Sequence, residues 1–467
     1  MIPLTLDEIA AISGGTLTDA PDPGATVTAP LAFDSRLPII GSLFLCLSGE
    51  GNRDGHDFAA AATDAGAVGV LATRPVGVPA IVVADVLQAA AELTRHLSGK
   101  LTGTSVIGLT GSSGKTSTKD LIAQILPGLG STVATEQSFN NEFGVPVTVS
   151  RADASTRFLV LEMGAKGIGH IRDLTRMAPL ESGIVLNVGA AHLGKFGSRD
   201  AVAQAKGELV ENLPSTGYAI LNADDPNVLP MAARTRATVI TFGLGDHALV
   251  RAHDVRLDDQ GRAGFTLDSP QGSAPVQLRV VGEHYVSNAL AAAALALAYG
   301  MPPQATADAL SAAEPISAGR MQVTDRADGL TVVNDAYNAN PDSVRAALHA
   351  LAALTGPTGR RGIAVLGPML ELGPTSEQDH ADAGALAASL GFDVVAVGST
   401  PDAYAIASGA GARAVLAATD REDALRQLQS LARPGDVVLV KASRDSGLRW
   451  LADSLVTASS EEQWTRA

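Results

Sequence analysis

The chain of 467 residues has a single cysteine, no surplus of positive charge and no long apolar run, and each shortage closes off a class of function. One thiol, Cys46, allows no disulfide within the chain. Its neighbours Leu43, Phe44, Leu45 and Leu47 predict a buried small hydrophobe, in keeping with a reducing compartment. A formal net charge of −15 repels a phosphate backbone on average, and no local basic stripe offsets it, so no nucleic-acid partner is expected. The longest apolar stretch, residues 289–299, falls short of the roughly 18–20 residues that span a bilayer. Residues 1–10 carry acids at Asp7 and Glu8 and no basic start, unlike a secretory leader. Together these shortages predict a soluble, cytoplasmic protein with no membrane insertion.

What is present reads as a packed globular protein. Apolar residues make up 46% and charged residues 18%, with Gly and Pro scattered rather than clustered. The length exceeds one compact core and points to about three domains of roughly 150 residues each. The expected class is α/β, with divisions at residues 1–100, 101–316 and 317–467. The first part opens on a helical pattern (Leu6, Ile9, Ala10) and has short apolar strands at 42–47, 68–72 and 80–83. A Ser-, Gly- and Thr-rich stretch, 97–105, reads as a linker into a strand at 106–110. Strands at 158–161, 183–188 and 218–221, separated by helical stretches, predict a mostly parallel sheet covered on both faces, ending in an alanine-rich helix at 288–299. After the Pro- and Gly-punctuated stretch 314–320, strands at 331–334, 363–366, 394–397 and 437–440 predict a second parallel sheet with helical crossovers.

Chemistry enters at a strand followed by Gly111, Ser112, Ser113, Gly114, Lys115 and Thr116 and then a helix. Small residues let backbone N–H groups wrap phosphate oxygens at a helix N-terminus, Lys115 neutralises them, and Thr116 offers a hydroxyl to magnesium, although the front of the loop is shorter than the common G-x-x-x-x-G-K-[ST] spacing. Ligands of such a sheet bind at the carboxyl ends of its strands. There Glu162 ends a strand where a carboxylate could hold a hard cation against the phosphates. His192, after Gly189-Ala190-Ala191, reaches the same edge, either as a metal ligand or as a loop histidine making one backbone hydrogen bond. Lys206, in a helical stretch at 201–210, reads by itself as a surface lysine. Gly164, Gly167 and Gly169 have the wrong order for a dinucleotide fingerprint and fit a turn after Glu162, so phosphoryl chemistry is expected rather than hydride transfer.

Further segments extend the pattern: Phe33-Asp34-Ser35-Arg36, Asp54-Gly55-His56-Asp57-Phe58, Asn140-Asn141 with Gly144 and Pro146, Glu162-Met163-Gly164, Ala191-His192-Leu193, Phe196-Gly197-Ser198 and Ala205-Lys206-Gly207-Glu208. Later come Asn288-Ala289, Gly319-Arg320-Met321, Asp335-Ala336-Tyr337-Asn338-Ala339-Asn340-Pro341, Gly367-Pro368-Met369, Glu371-Leu372-Gly373 and Lys441-Ala442-Ser443-Arg444. On these residues, spread over essentially the whole length, the chain resembles the Mur ligase family, and within it the members that add a dipeptide. The resemblance implies an N-terminal domain for the uridine diphosphate end of a substrate, a central ATPase domain, and a C-terminal Rossmann-like domain that closes over the nucleotide. It implies an ATP-dependent ligation in peptidoglycan synthesis. The carboxylate of UDP-N-acetylmuramoyl-tripeptide takes the γ-phosphoryl group, and D-alanyl-D-alanine attacks the acyl phosphate to give the pentapeptide precursor, ADP and phosphate.

By the same resemblance, Lys115 neutralises the β- and γ-phosphates, Thr116 and Glu162 hold one Mg2+, and His192 holds a second with the help of a carbamylated Lys206. Asn288 meets the adenine, Arg320 the phosphates, Asp335 the ribose, and Asn338 the adenine or ribose. Ser35 and Arg36 lie near the nucleotide sugar, and Asn140 and Asn141 near the pyrophosphate or sugar of the acceptor. The dipeptide site falls between the central and third domains, with no residues assigned, and the protein acts as a monomer. Ala442 stands where family members often have glycine, and Pro368 and Gly194 are local variants. Two rivals remain: the ligase that adds the third residue of the stem peptide, whose Asp-Asn-Pro-Arg segment is missing from this chain, and a nucleotide-dependent switch.

Overall fold

A computed structural model describes residues 1–36, 39–47, 54–189 and 193–457. Three sheets, one in each third of the chain, carry the architecture. In the first, Leu43–Leu45, Gly69–Ala72 and Ala80–Val82 run parallel, and Thr16–Thr18 pairs antiparallel at one edge. The helix Leu6–Ser13 starts on a capping box in which Thr5 and Glu8 satisfy each other's backbone N–H groups. Cys46 is buried as expected, and burial pushes its thiol up to about 12.

The linker expected at 97–105 is a correction. The helix Val86–Lys100, capped by Asp85, runs through the first half of that stretch. Leu93 and Leu97 continue its apolar face into the core, and that packing overrides the weak helix propensity of Ser98 and Gly99. Only the turn at 101–104 joins the helix to the strand Ser105–Thr110.

The central sheet has nine strands. Ser105–Thr110 is the third strand from one edge, between Ser182–Val185 and Phe158–Glu162 and parallel to both. Every pairing is parallel except where the meander Val250–Leu257, Arg262–Ser269 and Gly272–Val281 extends one end. That meander was not anticipated, although Ala274, Val276, Leu278 and Val280 alternate inward with Gln277 and Arg279 outward, the period of a half-buried strand. The alanine-rich helix spans Tyr285–Ala298, and its small side chains let it lie almost wholly buried against the sheet.

The third sheet runs Gln322–Asp325, Thr331–Asp335, Val437–Lys441, Gly362–Leu366, Asp393–Val397 and Ala414–Ala418. All its pairings are parallel except the first. Its central strands bury Val332, Val365, Val395 and Val438 completely, each worth about 1.5–3 kcal/mol relative to exposure. Both parallel sheets turn the carboxyl ends of their strands toward one cleft. Among the described residues, no helix is long and apolar enough to cross a membrane.

Candidate active site

The strand Ser105–Thr110 delivers the Gly-rich loop to the start of the helix Lys115–Ile125. Gly114 sits there with φ 78°, and a Cβ on it would come within 2.5 Å of Asn288 Oδ1, so both its backbone and its neighbour require glycine. Lys115 Nζ donates to Gly111 O at 2.7 Å. Removal from water lowers the pKa of Lys115, the Glu162 carboxylate opposes that shift, and Arg320 adds to it.

Asn187 had drawn no attention in the sequence. Its Oδ1 accepts from both Ser112 N and Ser113 N at 2.9 Å, and its Nδ2 donates to Ser113 O at 3.2 Å, stapling the loop to the chain that leaves Ser182–Val185. Ser112 Oγ accepts from Gly189 N at 2.9 Å and ties the same two segments again.

Glu162 is 1% exposed. Its Oε2 accepts from Thr116 Oγ1 at 3.0 Å and its Oε1 from Asn140 Nδ2 at 2.7 Å, while Ser138 Oγ lies 3.0 Å from the Thr116 hydroxyl. Arg320 arrives from the third unit: its Nη2 donates to Thr116 Oγ1 at 3.1 Å, and its guanidinium lies 4.3 Å above the Tyr337 ring. A buried carboxylate, two hydroxyls and a carboxamide thus converge beside the phosphate loop. These oxygen donors suit a small hard cation that keeps phosphate and water in its shell. Among the described residues no group of three or more His, Cys, Asp or Glu gathers into a metal cage.

The third unit supplies the other wall. Lys441, 2% exposed, pairs with Asp335 Oδ2 at 2.8 Å and donates to Asn338 O at 2.6 Å, fixing the turn that carries both predicted nucleotide contacts. Burial lowers the pKa of Lys441, and Asp335 resists the shift. His284, from the central unit, is partly exposed along the cleft, and loss of water around it brings its pKa down to about 4. Asn340 caps the helix Pro341–Thr355 through Ser343 N at 2.9 Å, and its Nδ2 reaches Ser112 O at 3.4 Å. A Cβ on Gly189 would lie 2.2 Å from Asp342 Oδ2, so the two units meet closely at the phosphate loop.

Lys206 corrects its plain sequence reading. It is 4% exposed on the helix Arg199–Glu211 and lines the cleft instead of the surface. Burial first, and then the charge of Lys115, hold its pKa well below the ordinary lysine value, which favours a neutral amine. Glu208, on the same helix, is fully buried and accepts from Gly169 N at 2.6 Å and Arg172 N at 3.0 Å, anchoring the start of His170–Met177.

One cleft of about 550 Å³ brings together residues 112–116, Asn140, Asn141, Glu162, Lys206, Asn288, Arg320, Asp335 and Asn338. His192 lies outside the described residues. Ser35 and Arg36 do not line the cleft; Arg36 is largely exposed and pairs with Asp34 at 2.7 Å. Their segment still touches the site's support, because Phe33 packs edge-on against Phe139 and Phe143 at 5.3 and 5.7 Å, on either side of Asn140-Asn141.

A phosphate loop, a carboxylate beside its threonine and an arginine brought across from a second parallel sheet define a nucleotide-dependent enzyme of the Mur ligase kind, and the chain belongs to the Mur ligase family. Residues 109–296 match the Mur ligase middle domain and residues 319–444 the Mur ligase glutamate ligase domain. The UDP-N-acetylmuramoyl-tripeptide--D-alanyl-D-alanine ligase of Mycobacterium tuberculosis is 46% identical, the alignment covering 98% of each chain. The enzyme of the same name from Bacillus subtilis is 35% identical over 98% of this chain and 99% of its own. Among solved structures, MurF from Acinetobacter baumannii superposes with a TM-score of 0.86 at 32% identity, covering 98% of this chain and 99% of that one. MurF ligase from Thermotoga maritima in complex with ADP gives 0.80 at 27% identity, covering 94% and 99%.

Proposed function

We propose that this chain joins D-alanyl-D-alanine to the terminal carboxylate of UDP-N-acetylmuramoyl-tripeptide at the expense of ATP, giving the pentapeptide precursor of peptidoglycan, ADP and phosphate. The observation that carries the reading is the Thr116–Glu162–Asn140 network set against Arg320 from the facing unit. It gathers phosphate-binding and cation-binding groups where two domains close. Full-length identity to ligases of that name supports the choice of substrates. On this reading residues 1–100 hold the uridine diphosphate end, 101–316 bind ATP and 317–467 close over it, and the protein works as a cytoplasmic monomer.

Lys115 and Arg320 neutralise the terminal phosphates so that a second anion, the acceptor carboxylate, can approach the γ-phosphorus. Asn288 holds the adenine, Asp335 and Asn338 hold the adenosine, and Asn140 and Asn141 face the acceptor, with Ser35 and Arg36 further along it. The carboxylate oxygen bonds to phosphorus as the bond to ADP breaks. The dipeptide nitrogen, having given its proton to water or phosphate, then attacks the acyl carbon, and inorganic phosphate leaves. Closure between the units excludes water that would hydrolyse the acyl phosphate.

Thr116 and Glu162 would hold one Mg2+, and His192 with Lys206 a second. Bound magnesium supplies charge neutralisation between the two anions. The neutral Lys206 amine fits addition to carbon dioxide, which forms an N–C bond, releases one proton and turns a neutral amine into an anionic carbamate.

The test is ADP release with ATP, magnesium and UDP-N-acetylmuramoyl-tripeptide, comparing D-alanyl-D-alanine with single amino acids. Strict dependence on both acceptor and dipeptide is expected. Release driven by a single amino acid would move the chain to another Mur ligase, and turnover without any amine would make it a switch.

A further inference from the structure

The helix Leu193–Phe196 of the central unit meets the turn before Gly373–Thr375 of the third unit backbone to backbone. Gly194 N donates to Glu371 O at 3.1 Å, and a Cβ on Gly194 would lie 2.8 Å from Gly373 N. Glycine at 194, one of the local variants of the sequence, is what this approach requires. Glu371 holds φ 65°, a left-handed backbone that non-glycine residues seldom adopt. The turn around it is fixed from both sides: Met369 N donates to the fully buried His380 Nε2 at 2.7 Å, and Leu370 N to Ser443 Oγ at 3.0 Å. Strain kept by such over-determination is typical of ligand-handling positions.

Across this joint Glu371 Oε1 pairs with Lys195 Nζ. Both side chains are partly exposed, and both line the cleft that holds the phosphate loop and Lys206. Neither takes part in the Thr116–Glu162–Arg320 network. We propose that this pair reads the two charges of the incoming dipeptide, Glu371 accepting hydrogen bonds from its ammonium and Lys195 donating to its terminal carboxylate. The inference rests on the ligase reading above.

A zwitterion offers each partner a replacement of opposite sign, so opening the pair trades one ion pair for two and strands no charge. Because one partner sits on each unit, the dipeptide is held fully only when the units are closed, which ties closure to arrival of the amine. An extended dipeptide separates its charges by about 7 Å, roughly twice the reach of one amino acid. Two arms, one on each unit, can therefore grip both ends of a dipeptide, and a single amino acid satisfies only one of them.

The experiment compares D-alanyl-D-alanine with its C-terminal amide as substrates of the wild type, Glu371→Gln and Lys195→Met, at saturating ATP and nucleotide-peptide, and then varies ATP at saturating dipeptide. Thermal unfolding is read for each variant to establish that it is folded. Glu371→Gln is expected to raise KM about tenfold for both amines. Lys195→Met is expected to raise it about tenfold for the free dipeptide and to leave the amide within about twofold. Equal changes in both variants for all substrates, ATP included, would show a mechanical latch and overturn the proposal, as would an unchanged KM for the free dipeptide in either variant. A wild type that ignores the dipeptide would overturn the ligase reading itself, an outcome separable from the others because it precedes any substitution.

Discussion

The phosphate-loop end of the cleft and the joint where Lys195 meets Glu371 are built by opposite rules. At the phosphate-loop end Thr116, Glu162, Lys206, Asp335 and Lys441 are buried, and among the described residues all but Lys206 are joined in hydrogen bonds or ion pairs with their neighbours. At the joint Lys195 and Glu371 are partly exposed and pair with each other across the two units, and Arg36, outside the cleft, is largely exposed and pairs with Asp34. The first end is preorganised, so changes there act on the chemical step; the second is adaptable, so changes there act on binding.

The largest break in that contrast comes from Lys206→Ala, expected to reduce ligation at least about a thousandfold, with excess bicarbonate restoring nothing. Coupled ADP release measures it, and intact mass of the wild type, raised by one carbon dioxide, would sharpen the cause. Activity near the parent's would make Lys206 a packing residue only. Next, Asn187→Ala leaves Ser113 N without its acceptor and Ser112 N with only the backbone carbonyl of residue 187, at about 1–3 kcal/mol. A fall of roughly ten- to a hundredfold in kcat/KM for ATP, with little change in the dipeptide KM, is the expected split.

A smaller effect concerns pH. His284 has a folded pKa of about 4 against an ordinary 6.5, so between those values the unfolded chain binds the proton first. Its contribution to stability is intact above 6.5 and is lost as pH falls toward 4, and His284→Gln should flatten that part of a thermal-midpoint profile. Smallest of all, Arg36→Ala removes an exposed pair worth about 0–1 kcal/mol and should leave the thermal midpoint almost unmoved. A large loss of stability there would contradict the division between the two ends.

The same contrast explains what the sequence disclosed. Gly114, Lys115, Thr116 and Glu162 were legible because a strand, a small-residue turn and a helix are local patterns, and a strand-end acid follows from them. Lys206 was not, because its burial depends on the helix Arg199–Glu211 packing beside a loop far away in the chain. Asn187 was hidden for a similar reason: one carboxamide after a strand says nothing until the neighbouring strand's loop is placed above it. The end of the helix Val86–Lys100 was read as linker because Ser98 and Gly99 look like breakers, while Leu97 still kept the apolar period. The meander from Val250 to Val281 was overlooked despite its alternation.

Asn340 holds two jobs in one flat group. Its oxygen seals the first turn of Pro341–Thr355, and its nitrogen touches the carbonyl of Ser112. The seal fixes the plane of the carboxamide, so the third unit meets the loop with its donor already aimed, and loss of that one long contact leaves the helix cap intact.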